Sequence, residues 1–114
     1  TAHGLAERLG LGEGQWQQAY QSRFGPAQWL TPATDTTLEQ WGAQGLGSVA
    51  VACPGFPADC LETLEEIALG GRESFEEAGG GGFRYIPALN DQPAWLDAMM
   101  RLAEEQLTDW LPGA

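Results

Sequence analysis

Lysine is absent from the 114 residues, and the whole basic complement is five arginines, Arg8, Arg23, Arg72, Arg84 and Arg101, spread along the chain. Against them stand 16 carboxylates, giving a formal charge of -11 and a pI near 4.1. Nucleic-acid binding needs clustered cations that displace counterions from phosphates, so a nucleic-acid partner is excluded. Cysteine is almost as scarce. Cys53 and Cys60 are the only two, too few for a four-thiolate zinc site or for an iron–sulfur cluster held in the usual way. A pair of free thiols in a reducing compartment is the simplest reading. No apolar run approaches the length of a membrane span, and no signal peptide is evident. The glycine run Gly79 to Gly82 lacks the Gly-Lys-Ser/Thr ending of a phosphate loop, which argues against a nucleotide role.

What is present is 43% hydrophobic and 10% aromatic residues, enough for one modest core. Residues 1–114 are therefore expected to form one compact domain or part of one. Thr1 in place of a starting Met suggests a truncated or processed chain.

The first ten residues carry Leu5, Ala6 and Leu9 at helical spacing and stop at Gly10 and Gly12. Trp16 to Ser22 reads as a short strand between Gly14 and Gly25-Pro26, and a long loop follows from Arg23 to Ala33. Thr34 or Asp35 can cap a helix that runs to about Gln44 and ends at Gly45. Ser48 to Cys53 is nearly continuous in apolar residues, which suits a parallel strand covered on both faces. After the break at Pro54-Gly-Phe-Pro57, Asp59 begins a helix that continues, with interruptions at Gly70-Gly71, to Ala78. Phe83 to Pro87 is a second short strand. Asn90 or Asp91 caps a final helix with Pro93 in its first turn and Trp95, Leu96, Met99, Leu102, Ala103, Gln106 and Trp110 on or near one face. The expected class is α/β, a small doubly wound parallel sheet with flanking helices.

Three blocks carry a family resemblance. Tyr20-Gln-Ser-Arg-Phe-Gly25, followed by Trp29-Leu30, Pro32 and Thr34-Asp35, is the first; Pro54-Gly-Phe-Pro-Ala-Asp-Cys-Leu-Glu-Thr-Leu64 is the second; Phe83-Arg-Tyr-Ile-Pro-Ala-Leu-Asn90 is the third. In this order and spacing they resemble the carboxy-terminal part of ferrochelatases, the enzymes that insert ferrous iron into protoporphyrin IX to make protohaem. The resemblance implies part of one half of a two-half chelatase fold with porphyrin in the cleft between the halves. His3, in Thr1-Ala-His-Gly-Leu5, superficially matches the family's catalytic histidine motif. That histidine lies farther upstream of the Gln-Ser-Arg block than the 18 positions between His3 and Gln21. The resemblance therefore implies that the catalytic histidine lies outside this chain, that His3 is a variable helix residue, and that the isolated fragment is inactive.

Metallating a porphyrin requires two pyrrole protons to leave while a divalent cation sheds water and enters a rigid ring, so the site needs proton acceptors and weak, transient ligands. By the family match, Glu62 is the catalytic carboxylate. Glu62 and Glu66 are then implied as metal contacts, and Tyr20, Gln21, Ser22 and Arg23 as the porphyrin-side wall. Asp59 orients the site as a helix cap, and Cys60 supports it as a small thiol. Asp59, Glu62 and Glu66 recur at i, i+3, i+7, the spacing of one helical stripe, which by itself is an ordinary solvated face. Gly70 departs from the longer acidic rows of some family members. Trp29 is the tryptophan placed to approach porphyrin or a membrane surface; the others are read as packing residues.

The resemblance implies ferrous iron as a substrate, no tightly bound cofactor and no iron–sulfur cluster, and a cytoplasmic protein with room for peripheral contact with the inner membrane. A fragment of this kind leaves apolar surface uncovered, which favours self-association. Two other readings stand beside it: another tetrapyrrole chelatase of the same fold, and a non-catalytic acidic α/β module that binds a partner or a metal.

Overall fold

A computed structural model describes residues 1–110 and 112. The elements run α1 (Ala2–Arg8), α2 (Thr34–Ala43), β1 (Ser48–Ala52), α3 (Leu61–Thr63), a π-helix (Leu64–Gly71), α4 (Arg72–Glu77), β2 (Gly82–Ile86) and α5 (Pro93–Gln106). The chain is α/β, with β1 and β2 paired in parallel from Ser48↔Gly82 to Ala52↔Ile86. A parallel pair needs a crossover, and α3, the π-helix and α4 provide it.

One face of this small sheet carries the core. Val49, Val51, Phe83 and Tyr85 share that face by register, and Leu38 of α2, Ile67 of the π-helix and Phe75 of α4 close over it. Phe75 is fully buried, and its ring lies tilted against that of Phe83 at 6.3 Å. Close approach is built on glycine: a Cβ on Gly71 would stand 3.1 Å from Leu38 Cδ1, and one on Gly80 only 2.5 Å from the Phe75 ring. Arg72 lies over the Phe83 ring at 5.2 Å and donates from Nη1 to the Phe83 carbonyl.

The opposite sheet face, Ala50, Ala52, Arg84 and Ile86, is exposed. The expectation that β1 is covered on both faces is therefore met on one face only, because α1 and α5 do not pack over the strands. No residue of α5 is buried, and Leu96, Met99, Met100 and Leu102 of its apolar side stand open. The radius of gyration is 17.6 Å, against about 13 Å for a closed domain of similar length.

Several local expectations shift. Trp16 to Ser22 is not a strand: a strand needs a neighbour for its backbone groups, and here only Tyr20 finds one, pairing with Ala33 through Tyr20 N–H to Pro32 O and Thr34 N–H to Tyr20 O, both 2.9 Å. That bridge draws Thr34 into the helix, so Ala33 is the N-cap of α2, and neither Thr34 nor Asp35 fills that position. At its other end α2 stops as read. Gly45, at φ +75°, donates to Gly42 O while Leu46 donates to Trp41 O, which is the Schellman pattern. Gln92 caps α5 and Pro93 is its first residue. Asn90 is drawn elsewhere, as described below.

Candidate functional site

The loop between α1 and α2 and the crossover between the strands meet around a cavity of about 420 Å³, lined among others by Tyr20, Gln21, Ser22, Arg23, Trp29 and Glu66. Two tethers hold the loop to the crossover. Gln21 donates from Nε2 to the Glu62 carbonyl at 2.8 Å, while its own carbonyl accepts from Trp29 Nε1 at 3.2 Å. Ser22 donates both its N–H and its hydroxyl to Glu66, one to each carboxylate oxygen, at 2.7 Å each. Ser22 has φ +60°, a left-handed conformation that costs an L-residue about 1–2 kcal/mol. The two charge-assisted bonds to Glu66 offset that cost.

Glu66 reaches this position from the π-helix. Turns of this kind are rare and concentrate at functional sites. The wider turn was not foreseen, and Gly70, which also lines the cavity, belongs to it. Glu62 lies in the short α3 just before it, half-buried and outside the lining of the cavity. The expected stripe of Asp59, Glu62 and Glu66 is therefore not one helical row.

Asp59 precedes the helix. The N-cap is Cys60, and a capping box forms in which the Cys60 N–H donates to Thr63 Oγ1 at 2.9 Å. Asp59 does not cap because its carboxylate is committed to the exit of β2. Oδ1 accepts from the Thr63 hydroxyl at 2.9 Å and from the Tyr85 hydroxyl; Oδ2 accepts from Asn90 Nδ2 at 2.9 Å and from Ala88 N at 3.3 Å. Asn90 completes a two-way clamp, since its Oδ1 accepts from the Asp59 N–H at 2.8 Å and its own N–H donates to Pro57 O at 2.9 Å. With φ +50° and both side-chain atoms engaged, Asn90 is not available to cap α5.

These contacts set the local electrostatics. The Tyr85 hydroxyl, then Asn90, Thr63 and the Ala88 N–H, hold the Asp59 carboxyl down to about 2. Tyr85 is pushed up by burial and by its bond to Asp59, so it stays the proton donor. The Cys60 side chain and the Glu62 backbone N–H lower the Glu62 carboxyl below its ordinary value. Burial, with Asp59, Glu66 and Cys60 nearby, raises the Cys53 thiol to about 11. Both cysteines are free.

The sequence profile of the ferrochelatase family matches residues 1–107. This chain belongs to the ferrochelatase family. It is 56% identical over 110 residues to a ferrochelatase of Thioalkalivibrio sulfidiphilus, 54% over 112 residues to one of Alcanivorax borkumensis, and 56% over 110 residues to one of Neisseria meningitidis serogroup B. These alignments cover 96%, 98% and 96% of the chain but only 30%, 33% and 33% of the relatives, so the chain spans about a third of their length. No solved structure gives a significant match.

Within this ferrochelatase-family chain, Tyr20 to Arg23 and Glu66 come together at one cavity. Glu62 and Cys60 do not line that cavity, and Glu62 is tied to it through Gln21. His3 lies exposed on α1, edge-on to Trp16 at 4.9 Å. Among the described residues, no group of three or more His, Cys, Asp or Glu side chains converges on one point that could hold a metal ion. As site residues, sequence reasoning passed over Thr63 and Tyr85 and read Asn90 only as a cap for α5. For Thr63 a signal existed, since a hydroxyl three residues after Cys60 fits a capping box. For Tyr85 and Asn90 there was none, because their partner lies 26 and 31 residues away.

Proposed function

We propose that the complete protein to which this chain belongs inserts ferrous iron into protoporphyrin IX, with these residues as the carboxy-terminal portion that supplies one wall of the porphyrin cleft and the Glu62 carboxylate. The observation that carries the reading is the family match over residues 1–107.

The chemistry assigned to the chain follows from its side chains. Tyr20, Gln21, Ser22 and Arg23 form the wall, with Arg23 exposed and able to meet a propionate. Glu62, a carboxylate at neutral pH like any ordinary glutamate, accepts a proton leaving a pyrrole nitrogen and offers the entering cation a weak oxygen contact. Glu66 serves as a second metal contact when it exchanges its bonds to Ser22. Asp59 and Cys60 hold the helix start. Iron is a substrate here, and we assign no tightly bound cofactor and no iron–sulfur cluster.

We place the protein in the cytoplasm with peripheral membrane contact. No described helix is long and apolar enough to cross a membrane, and exposed Phe24 and Leu30 support the peripheral contact. The open apolar side of α5 supports self-association of the isolated chain.

The test is metal insertion into protoporphyrin by the full-length protein, with ferrous iron or zinc. Loss of a well-placed acid–base group costs roughly 10²–10⁴-fold in kcat, and Glu62→Gln is expected to fall in that range. Turnover that survives Glu62→Gln refutes the role of Glu62; absence of turnover in the unsubstituted full-length protein refutes the assignment itself.

A further inference from the structure

We propose that Tyr85 and Asn90 are positioning residues for the reaction, acting through Asp59 to fix the helical turn that presents Glu62. The inference rests on the proposed role of Glu62 and adds what sets the direction of its side chain.

The turn that carries Glu62 has little to hold it in place. α3 is three residues long and runs straight into the π-helix; Thr63 N–H and Leu64 N–H meet the Cys60 carbonyl, and Leu64 N–H also faces Leu61 O. What immobilises it comes from the other strand. Thr63 is fully buried, and its hydroxyl has one proton to give and lone pairs to offer. Asp59 Oδ1, at 2.9 Å, is a nearer and charged acceptor for that proton than the Cys60 carbonyl at 3.1 Å; with the proton directed to Asp59, a lone pair faces the Cys60 N–H, and the capping box closes. Asp59 thus orients the hydroxyl that caps the turn.

Asp59 is in turn held from the exit of β2. Tyr85 donates to Oδ1, Asn90 and Ala88 donate to Oδ2, and Asn90 also accepts the Asp59 N–H. With Thr63, these four donors fill the acceptor capacity of one carboxylate. A carboxylate so saturated takes up neither a cation nor a proton without dismantling the clamp, which separates the part played by Asp59 from that of Glu62. Asn90 reinforces the clamp through its left-handed backbone, which aims its N–H at Pro57 O. The two loops at the carboxyl ends of β1 and β2 are thereby locked together, and Glu62 follows Asp59 by three residues.

The experiment uses the full-length protein and four forms of it: unsubstituted, Tyr85→Phe, Asp59→Asn, and the double exchange Asp59→Asn with Asn90→Asp. In the double exchange the new amide at position 59 donates to the new carboxylate at position 90, while its carbonyl still faces Tyr85 and Thr63. Zinc insertion into protoporphyrin gives kcat and KM, and amide hydrogen exchange at Cys60 reports closure of the capping turn without depending on turnover. Misplacing a reacting group by about 1 Å costs up to roughly 10²-fold. Each single variant is expected to lose about tenfold or more in kcat with little change in porphyrin KM. Exchange at the Cys60 amide should quicken as the capping turn loosens, and the double exchange should restore both readouts in part. Unchanged kcat in the single variants overturns the proposal whether or not Cys60 exchange quickens, and so does a drop in melting temperature with both readouts intact. If the unsubstituted protein inserts no metal, the functional reading fails, and hydrogen exchange at the Cys60 amide alone then decides whether the clamp holds the turn.

Discussion

Thr63 offers the sharpest test of how the helix start is built, because one hydroxyl serves both Asp59 and the Cys60 N–H inside a fully buried side chain. Thr63→Val keeps the shape and removes both bonds, together with the hydroxyl's 3.1 Å contact to the Cys60 carbonyl. An unpaired buried N–H costs about 1–3 kcal/mol, and loss of a capping side chain typically about 1 kcal/mol. The two overlap, so the expected loss is about 2 kcal/mol. Thr63→Ser keeps the hydroxyl and removes one buried methyl, a loss of about 1 kcal/mol. Valine should therefore be the worse replacement by about 1 kcal/mol, although it is the more apolar residue in an apolar surrounding. Urea unfolding of the two variants side by side measures the difference, and hydrogen exchange at the Cys60 and Leu64 amides localises it. If the valine variant is as stable as the serine variant, the hydroxyl is a passenger, and the account of the cap is wrong.

Two further predictions follow from the shifted groups. The Asp59 carboxyl sits at about 2 when folded against an ordinary 3.8, so its stabilisation is present in full above pH ~4 and is lost as pH falls through ~2. Asp59→Asn should accordingly destabilise at neutral pH, with the gap from the unsubstituted protein closing between pH 4 and 2; a gap of constant size across that range would contradict the clamp. Cys53, raised to about 11, stays a thiol at neutral pH, and the thiolate is the reactive form. In a Cys60→Ser background, iodoacetamide should modify the remaining thiol more slowly than a free model thiol, and modification at the model rate would show that Cys53 is neither desolvated nor faced by Asp59 and Glu66.

The sequence determined the features whose causes are local. Gly45 ends α2 because a left-handed residue is needed there, and glycine takes that conformation at no steric cost. Pro93 opens α5 because a first-turn proline loses no helical bond. The near-continuous Ser48 to Cys53 run marks a parallel strand, and β1 is one. The three motif blocks carried the family.

What tertiary structure alone decided is which partner each polar group takes. Asp59 has the composition of an N-cap, yet Tyr85 and Asn90 claim its carboxylate from across the sheet, and the cap passes to Cys60 and Thr63. Asn90 has the composition of a cap for α5 and serves Asp59 and Pro57 instead. Glu66 belongs to a regular acidic spacing, but the π-helix delivers it to Ser22. Periodicity records only how a chain repeats along itself. A carboxylate is satisfied by whichever donors the fold brings within about 3 Å, and for these residues, Thr63 apart, the donors come from segments 26 to 44 positions distant.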